Sequence, residues 1–409
     1  MSEAQMSIVN EFSVFEKMGE EIFYPDKFTK WSISHIWIIA LGPLALLLLN
    51  DVIVALISPE RQVLTELLPD LTDKVFVSVS IVFLIGGFIL RTLLRQTPKT
   101  FVNLAKTGQL EPIAKESPHK VSFSTDFRTR IKSRRRFGVT LSLLIISGTL
   151  IAFANQNVGL DLSERIKDVV NPDRTSLVRL LDTLWILTRW VFTPLLWAIV
   201  GSTGIWIMYT LGVAIKRLTP TFKLRIQPSH PDSSGGLRRL GDICFNMALP
   251  IILAILVLGF WAIIGIRTNF QYPTLPTIVF SIVGLIILIP LSFFIFLAPL
   301  WDIHRDMLEQ RSEYQDKLAK QLGEVESRLH KRLQGDDDSK LEELTEELET
   351  LQKLHPTARK YPTWPFDTAI LLRAISPQII SIMGVALSLD SDTVTKLKDV
   401  MENFAKLVG

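Results

Sequence analysis

Residues 277–322 read TIVFSIVGLIILIPLSFFIFLAPLWDIHRDMLEQRSEYQDKLAKQL, and this stretch decides the fold. The first 24 residues, 277–300, contain no charged side chain, and an apolar run of this length is typical of a membrane-spanning helix. Residues 301–322 are charged and helix-favouring, and no glycine stands between the two parts. We therefore predict a spanning helix that continues out of the membrane as a stalk.

The composition of the whole chain is that of a membrane protein. Of its 409 residues, 48% are hydrophobic and 21% are charged, and the mean hydropathy is +0.31. A soluble globule of this length is less apolar. We predict an all-α polytopic helical membrane protein with a cytoplasmic, coiled-coil-like helical hairpin. The single cysteine, Cys244, excludes an intrachain disulfide, and the sequence indicates no cofactor.

Apolar segments predict six membrane spans. In chain order they cover residues 36–57, 75–94, 137–155, 190–215, 247–266 and 277–300. We divide the chain accordingly into an N-terminal amphipathic segment, 1–30, a transmembrane bundle, 31–300, a helical hairpin, 301–355, and a membrane-associated C-terminal segment, 356–409.

The distribution of positive charge predicts the orientation. Residues 91–136 carry twelve Lys or Arg against three acidic residues, and residues 216–242 carry six against two. Basic loops stay in the cytoplasm, so the N-terminus and the hairpin are expected on the cytoplasmic side of the membrane. Arg134, Arg135 and Arg136 would attract anionic lipid head groups. Because this basic tract directly precedes a span, topology explains it, and we expect no nucleic-acid partner.

The stalk is predicted to fold back as a hairpin. Leucine and valine recur at heptad-like spacing in residues 318–329 and 341–351, and the turn sequence Gly-Asp-Asp-Asp at 335–338 separates the two segments. The second arm is acidic and the end of the first is basic, which favours antiparallel pairing. About two heptads in each arm suit an intramolecular hairpin. A homo-oligomer formed through the stalk is the alternative.

Two regions near the membrane leave alternatives open. Asn50 and Asp51 interrupt the first span, and an intramembrane carboxylate is a functional candidate unless it reaches the interface. Residues 368–389 are apolar but contain Arg373 and Pro377, so this segment could be a seventh span, a re-entrant segment or an interfacial helix. The tail, 391–408, is amphipathic and could lie along either membrane surface.

The richest polar motif is IQPSHPDSSGGLRRLGD, residues 226–242, between the fourth and fifth spans. Its glycines permit positive φ, its Asp and Ser residues can cap a helix, and its arginines begin the next helix. Such a loop could hold a phosphate or another anion; a sharply folded connector is the alternative. The candidate ligand-binding residues are His230, Asp232, Ser233, Ser234, Gly235, Gly236, Arg238 and Arg239. Neither a catalytic residue nor a metal site is predicted, because the histidines lack metal-ligand spacing.

This loop, the LGDICF segment at 240–245, Leu-Trp-x-x-His at 300–304 and Pro-x-Trp-Pro-Phe-Asp at 362–367 resemble motifs of a group of uncharacterised bacterial polytopic membrane proteins with an HPDxxGGL loop. The resemblance covers roughly the second half of the chain. It implies a helical membrane architecture and a bacterial inner-membrane setting, and it implies no activity.

The sequence favours a membrane sensor, a channel-like protein or a signalling component, in which the hairpin and the 226–242 loop meet beneath the membrane. The basis is the join of span and stalk at Trp301. A secondary transporter and a lipid- or phosphate-processing enzyme are the alternatives. The transporter would depend on Asp51, and the enzyme on His230 and Asp232.

Overall fold

The computed structural model describes residues 74–112, 176–228, 230–267, 275–333, 341–359 and 361–389, with isolated positions at 6, 9–10, 38, 41–43, 45–46, 49, 53, 142, 166 and 169–170. The predicted first and third spans lie almost entirely outside these residues. So do Asn50, Asp51, the three arginines at 134–136, the turn at 335–338 and the tail at 391–408.

The described chain is built from nine α-helices and two short strands. In order these are α1 (Lys74–Lys106), β1 (Leu110–Pro112), α2 (Ser176–Leu187), α3 (Thr193–Lys216), α4 (Leu218–Thr221), β2 (Phe222–Leu224), α5 (Arg238–Arg267), α6 (Leu275–Leu297), α7 (Trp301–Leu333), α8 (Leu341–Arg359) and α9 (Thr368–Ser388).

Within the described residues, four helices are long and apolar enough to cross a membrane. They are Ser80–Lys106, Arg238–Arg267, Ser281–Lys331 and Thr368–Ser388. The prediction of an all-α membrane protein is therefore confirmed. The predicted fourth span corresponds to helix α3, and a π-helical turn at Thr188–Phe192 comes before it. Pro194, the second residue of α3, follows this turn closely and has no backbone N–H to donate to the regular ladder.

Span and stalk form one helical rod. The segment Ser281–Lys331 is 51 residues of helix and includes most of α6, a short 3₁₀ turn at Ala298–Leu300 and most of α7. The 3₁₀ turn contains Pro299, which has no backbone N–H for the α-helical ladder. The predicted continuity through Trp301 is thus present, with one tightened turn that the apolar pattern did not reveal.

Helix α5 lies at the centre of the described bundle and packs against α1, α6 and α9. Its residues Ile252, Ile255 and Ala262 are no more than 1% exposed. Side chains at these positions fill the space between helices, whereas α6 presents Ile286 and Phe294, which are 68% and 69% exposed. Exposed apolar residues on a spanning helix are suited to lipid contact.

A two-stranded antiparallel sheet joins the ends of α1 and α3. Leu110 pairs with Leu224, and both side chains are fully buried. Each strand has only three residues, too few to show an alternating pattern, so sequence analysis did not predict the sheet. We call the side of the bundle that carries the sheet and the 226–237 loop the sheet end.

The hairpin is present as two packed helices, α7 and α8. Val325 of α7 and Leu344 of α8 are buried, and the Arg328 guanidinium lies 3.5 Å from the Glu347 carboxylate across the pair. Because Val325 and Leu344 are heptad positions of the two arms, the predicted apolar faces do meet.

Candidate functional site

The 226–242 loop folds tightly because three of its residues adopt positive φ. These are Ser233 at 58°, Gly235 at 65° and Gly236 at 90°. A Cβ atom on Gly235 would overlap Ile226, and one on Gly236 would overlap the side-chain amide of Gln109. The prediction that the two glycines permit positive φ is confirmed, and both also allow a close approach of neighbouring side chains.

The carboxylate of Asp232 organises the loop. Its Oδ1 atom accepts hydrogen bonds from the backbone N–H groups of Ser234 and Gly236, each at 3.0 Å. Its Oδ2 atom accepts from the N–H of Arg238, the first residue of α5, at 3.3 Å. Of the Asp and Ser residues that could cap this helix, Asp232 is thus the one that accepts a hydrogen bond from its first residue.

His230 is the fourth partner of Asp232. Its Nδ1 atom lies 2.8 Å from Oδ1 of Asp232 and 3.3 Å from the Asp232 backbone nitrogen. The shorter distance favours an Nδ1–H group that donates to the carboxylate. Burial alone would raise the pKa of Asp232, but the donors of Gly236, Ser234, His230 and Arg238 outweigh it and hold the pKa below the ordinary value of 3.8.

This arrangement bears on the choice between an anion site and a connector. The backbone donors that a phosphate would need at Ser234, Gly236 and Arg238 already bind the Asp232 carboxylate. A second anion at the same donors would meet a fixed negative charge. The geometry favours the connector, and anion binding by this loop stays a prediction. Ser234 itself is fully buried, and its hydroxyl has no partner among the described residues.

The arginines that follow the loop face different surroundings. The Arg238 guanidinium lies 3.2 Å from Oδ2 of Asp367, while Oδ1 of Asp367 accepts from the backbone N–H of Ile370 at 2.9 Å and caps α9. Arg239 is exposed. One carboxylate thus joins the N-terminal ends of α5 and α9 at the sheet end.

The loop also contacts the stalk, through Gln310 of α7. The side-chain amide of Gln310 donates from Nε2 to the carbonyl of Leu224 at 2.7 Å. Its Oε1 atom accepts from the backbone N–H of Ile226 at 3.4 Å. The strand β2 and the first loop residue are therefore held against the stalk by one side chain.

A second set of contacts joins the stalk to the chain that leads into α9. The rings of His304 and Trp364 stack with centroids 3.8 Å apart and planes within 10°, and Nδ1 of His304 is hydrogen-bonded to the carbonyl of Thr363. Trp301 meets Trp364 edge to face at 6.2 Å. We call the contacts made by His304, Gln310 and Trp364 the hairpin clasp.

One turn beyond Gln310, Tyr314 of α7 packs against Tyr361, with ring centroids 5.8 Å apart. Burial raises the pKa of the Tyr361 phenol, and the neighbouring Tyr314 and Glu313 raise it further. Tyr361 therefore stays neutral, and the pair adds an apolar contact to the base of the hairpin.

The structure brings four of the predicted loop residues, His230, Ser234, Gly236 and Arg238, into contact with Asp232. The residues that sequence analysis missed are Gln109 and Gln310. Their contacts join positions more than 80 residues apart, and no local pattern marks them. For His304 and Trp364 a signal was present, since both fall in the short motifs at 300–304 and 362–367.

Among the described residues, no group of three or more His, Cys, Asp or Glu side chains could hold a metal ion. Comparisons with protein-family models, curated proteins and solved structures give no match. The class of protein is therefore defined by the fold alone: an all-α protein with four described helices suited to a lipid bilayer.

Proposed function

We propose that this protein is a multi-pass inner-membrane sensor, channel-like protein or signalling component, in which the helical hairpin is coupled to the transmembrane bundle. The observation that carries the proposal is the hairpin clasp. It fixes the base of the hairpin to two separate parts of the bundle, whereas a tethered accessory domain would need only the covalent connection.

The covalent connection supports coupling because it is helical. The 51-residue helix Ser281–Lys331 would measure about 77 Å at ~1.5 Å per residue. Residues on one helix move together over many turns, so a displacement of α7 is transmitted to α6. The 3₁₀ turn at Pro299 is packed rather than loose, since Pro299 and Leu300 are both buried.

The clasp supports coupling because it adds two contacts beside this rod. Gln310 links α7 to β2, which follows α3 in the chain, and the stack of His304 on Trp364 links α7 to the start of α9. A tilt of the stalk must therefore move α3 and α9 or break half-buried polar and aromatic contacts. The free energy of breaking them makes joint movement the favoured response.

The charge of the loops supports the cytoplasmic placement of the hairpin and of the N-terminus. The same loops make anionic lipid a proposed partner at Arg134, Arg135 and Arg136, and the exposed surfaces of α7 and α8 leave a homo-oligomer as a further proposal. Membership in the HPDxxGGL group rests on the four short motifs of the second half of the chain.

The other two classes gain less support. A phosphate-processing enzyme would need the loop donors that Asp232 occupies. A transporter would depend on Asp51, which lies outside the described residues.

Amide hydrogen exchange on the full protein in lipid nanodiscs tests the coupling. A synthetic antibody fragment that binds the exposed acidic face of α8 supplies the perturbation. We expect exchange to change in the hairpin and also at the sheet ends of α6 and α9, because the clasp and the rod transmit the displacement.

The matched control carries two glycines inserted between Leu300 and Trp301 together with Gln310→Leu and Trp364→Ala. In this variant the change should be confined to α7 and α8. A change confined to the hairpin in the unaltered protein would contradict the proposed coupling.

A further inference from the structure

The contacts between α5 and α9 reveal the direction in which α9 runs. Gly241, near the start of α5, lies against Pro365 and Phe366, just before α9 begins. Gly259 lies against Ser381, so that a Cβ on the glycine would stand 2.8 Å from the serine Cβ. The sequence number rises along both helices from one contact to the next, so α5 and α9 are parallel.

A further contact extends this register toward the far end of the bundle. A Cβ on Gly384 would stand 2.6 Å from Cδ1 of Ile263, whose helix ends at Arg267. Contacts therefore run from position 241 to position 263 of α5, and from position 366, just before α9, to position 384 within it. Helix α9 accompanies α5 along nearly its whole length and does not turn back.

The neighbours of α5 on its other sides run in the opposite direction. The Trp261 indole donates to the Ser78 hydroxyl of α1 at 3.0 Å, while Gly86, later in α1, lies against Pro250, earlier in α5. On α6, Gly284 lies against Leu258 of α5. The later residue Phe296 meets Phe245, with ring centroids 6.5 Å apart. Helices α1 and α6 thus end at the sheet end, where α5 and α9 begin.

The surface of α9 suits a spanning helix. Its buried side, which includes Gln378 and Ser381, packs on α5. Its other side is apolar and exposed, with Leu372, Ile379, Ile380, Ile382, Met383 and Leu387 between 47% and 81% exposed. The 21 residues of α9 measure about 30 Å, which matches the hydrocarbon core of a bilayer.

The charged groups of α9 agree with this direction. Arg373 lies in the second turn and has Asp242 at the start of α5 as an electrostatic partner, and Asp367 caps the first turn. No charge follows in α9 between Arg373 and Ser388. The polar end of α9 is therefore at the sheet end, together with the hairpin.

From this register we propose that α9 crosses the bilayer parallel to α5, so that its C-terminal end at Ser388 lies on the opposite side of the membrane from the helical hairpin. The segment 368–389 is then a seventh span rather than a re-entrant or interfacial segment. The 361–367 segment, which the clasp binds to the stalk, leads directly into a helix whose other end is in the other compartment. The tail can accordingly meet partners that the hairpin cannot reach.

Cysteine labelling of the full protein in intact expressing cells tests this inference. Ser327→Cys places a thiol on an exposed position of α7, and Ser391→Cys places one just after α9. The native Cys244 is fully buried and provides the unlabelled background. A membrane-impermeant maleimide is applied before and after permeabilisation, and each signal is divided by the labelling of the detergent-denatured protein.

We expect Ser391→Cys to be labelled in intact cells and Ser327→Cys only after permeabilisation. Lys398→Cys, a second tail position, should behave as Ser391→Cys and serves if that variant folds poorly. Labelling of hairpin and tail under the same condition would overturn the inference. The reverse pattern, with only the hairpin labelled in intact cells, would support opposite sides and overturn the cytoplasmic placement of the hairpin.

Discussion

At the residue scale, Asp232 determines the shape of the loop before α5. Its carboxylate accepts from three backbone N–H groups, two within the loop and one at the helix start, and lies beside the His230 ring. A hydrogen bond to a charged acceptor contributes more than one to a neutral acceptor. The loop is therefore held by an internal anion, which explains how its positive-φ residues stay in place.

Replacing this charge should destabilise the protein. For Asp232→Asn we expect a loss on the order of 2 kcal/mol, the usual contribution of a hydrogen bond to a charged group. The midpoint of thermal unfolding in detergent, followed by intrinsic fluorescence, measures the loss. The control is Asp316→Asn, since Asp316 is exposed on α7. Equal midpoints for the two variants would show that Asp232 does not hold the loop.

The stability that Asp232 contributes should depend on pH. Because the folded state lowers the pKa of Asp232, the carboxylate contributes its stability above the ordinary value of 3.8 and loses it as the pH falls through the lowered pKa. The difference between the unaltered protein and Asp232→Asn should thus be full near neutral pH and shrink below 3.8. A difference that grows on acidification would contradict this sign.

Gly236 and Gly323 form a matched pair for the same measurement. At Gly236, φ is 90° and a Cβ would overlap Gln109, so Gly236→Ala should cost at least about 1 kcal/mol. Gly323 lies within α7, and no atom outside its own turn of the helix backbone stands within 4 Å of its Cβ position, so Gly323→Ala should stabilise the helix by about 0.5–1 kcal/mol. Shifts of the same sign would refute the account of the loop.

At the scale of elements, the hairpin depends on a narrow apolar seam. Val325 is 1% exposed and Leu344 is 7% exposed, whereas the surrounding positions of α7 and α8 are mostly exposed. The exposed ion pair between Arg328 and Glu347 contributes little, since surface pairs typically add less than about 1 kcal/mol. The seam therefore supplies most of the stabilisation between the two arms.

A charge in the seam should release α8. In Val325→Asp a carboxylate would be buried without a partner, which favours separation of the arms. We expect faster amide hydrogen exchange in α8 and unchanged exchange in α5. Ser327→Asp, at an exposed position of the same helix, is the control and should leave both unchanged. Unchanged exchange of α8 in Val325→Asp would mean that this seam does not hold the hairpin.

The elements that could be predicted are those with a strong local pattern. The charge-free run at 277–300 and the heptad positions around Val325 identify α6, α7 and α8, because each pattern repeats over several turns. Strands β1 and β2 could not be predicted, since each spans three residues and exists through pairing with a distant partner. The 3₁₀ turn at Pro299 could have been expected from the proline alone.

In the candidate site, too, the features set by local sequence could be predicted and those set by distant contacts could not. Positive φ at Gly235 and Gly236 and the cap by Asp232 follow from residue type and spacing, and all are present. Asp232 also accepts hydrogen bonds from the N–H groups of Ser234 and Gly236. These bonds depend on how the loop folds back on itself, which its sequence alone does not reveal. The two hydrogen bonds of Gln310, to Leu224 and to Ile226, are likewise tertiary contacts. A single glutamine on a charged helix gives no sequence pattern that would predict them.

At the scale of the whole molecule, the sheet end gathers the parts that link membrane and hairpin. The ends of α1 and α3, the starts of α5 and α9, the 226–242 loop and the clasp all lie there. Half-buried polar and aromatic contacts join these parts. Surfaces suited to lipid contact extend away from them. The central claim is that the hairpin base and the bundle form one unit, which allows the hairpin to be coupled to the membrane.

Pulsed electron paramagnetic resonance in nanodiscs tests this claim most directly. Spin labels are attached to Lys106→Cys at the end of α1 and Lys317→Cys on α7, both exposed, while Cys244 is buried. The account predicts one narrow distance distribution, which should broaden in a variant carrying His304→Ala, Gln310→Leu and Trp364→Ala. A distribution as broad in the protein with an intact clasp as in this variant would contradict the account.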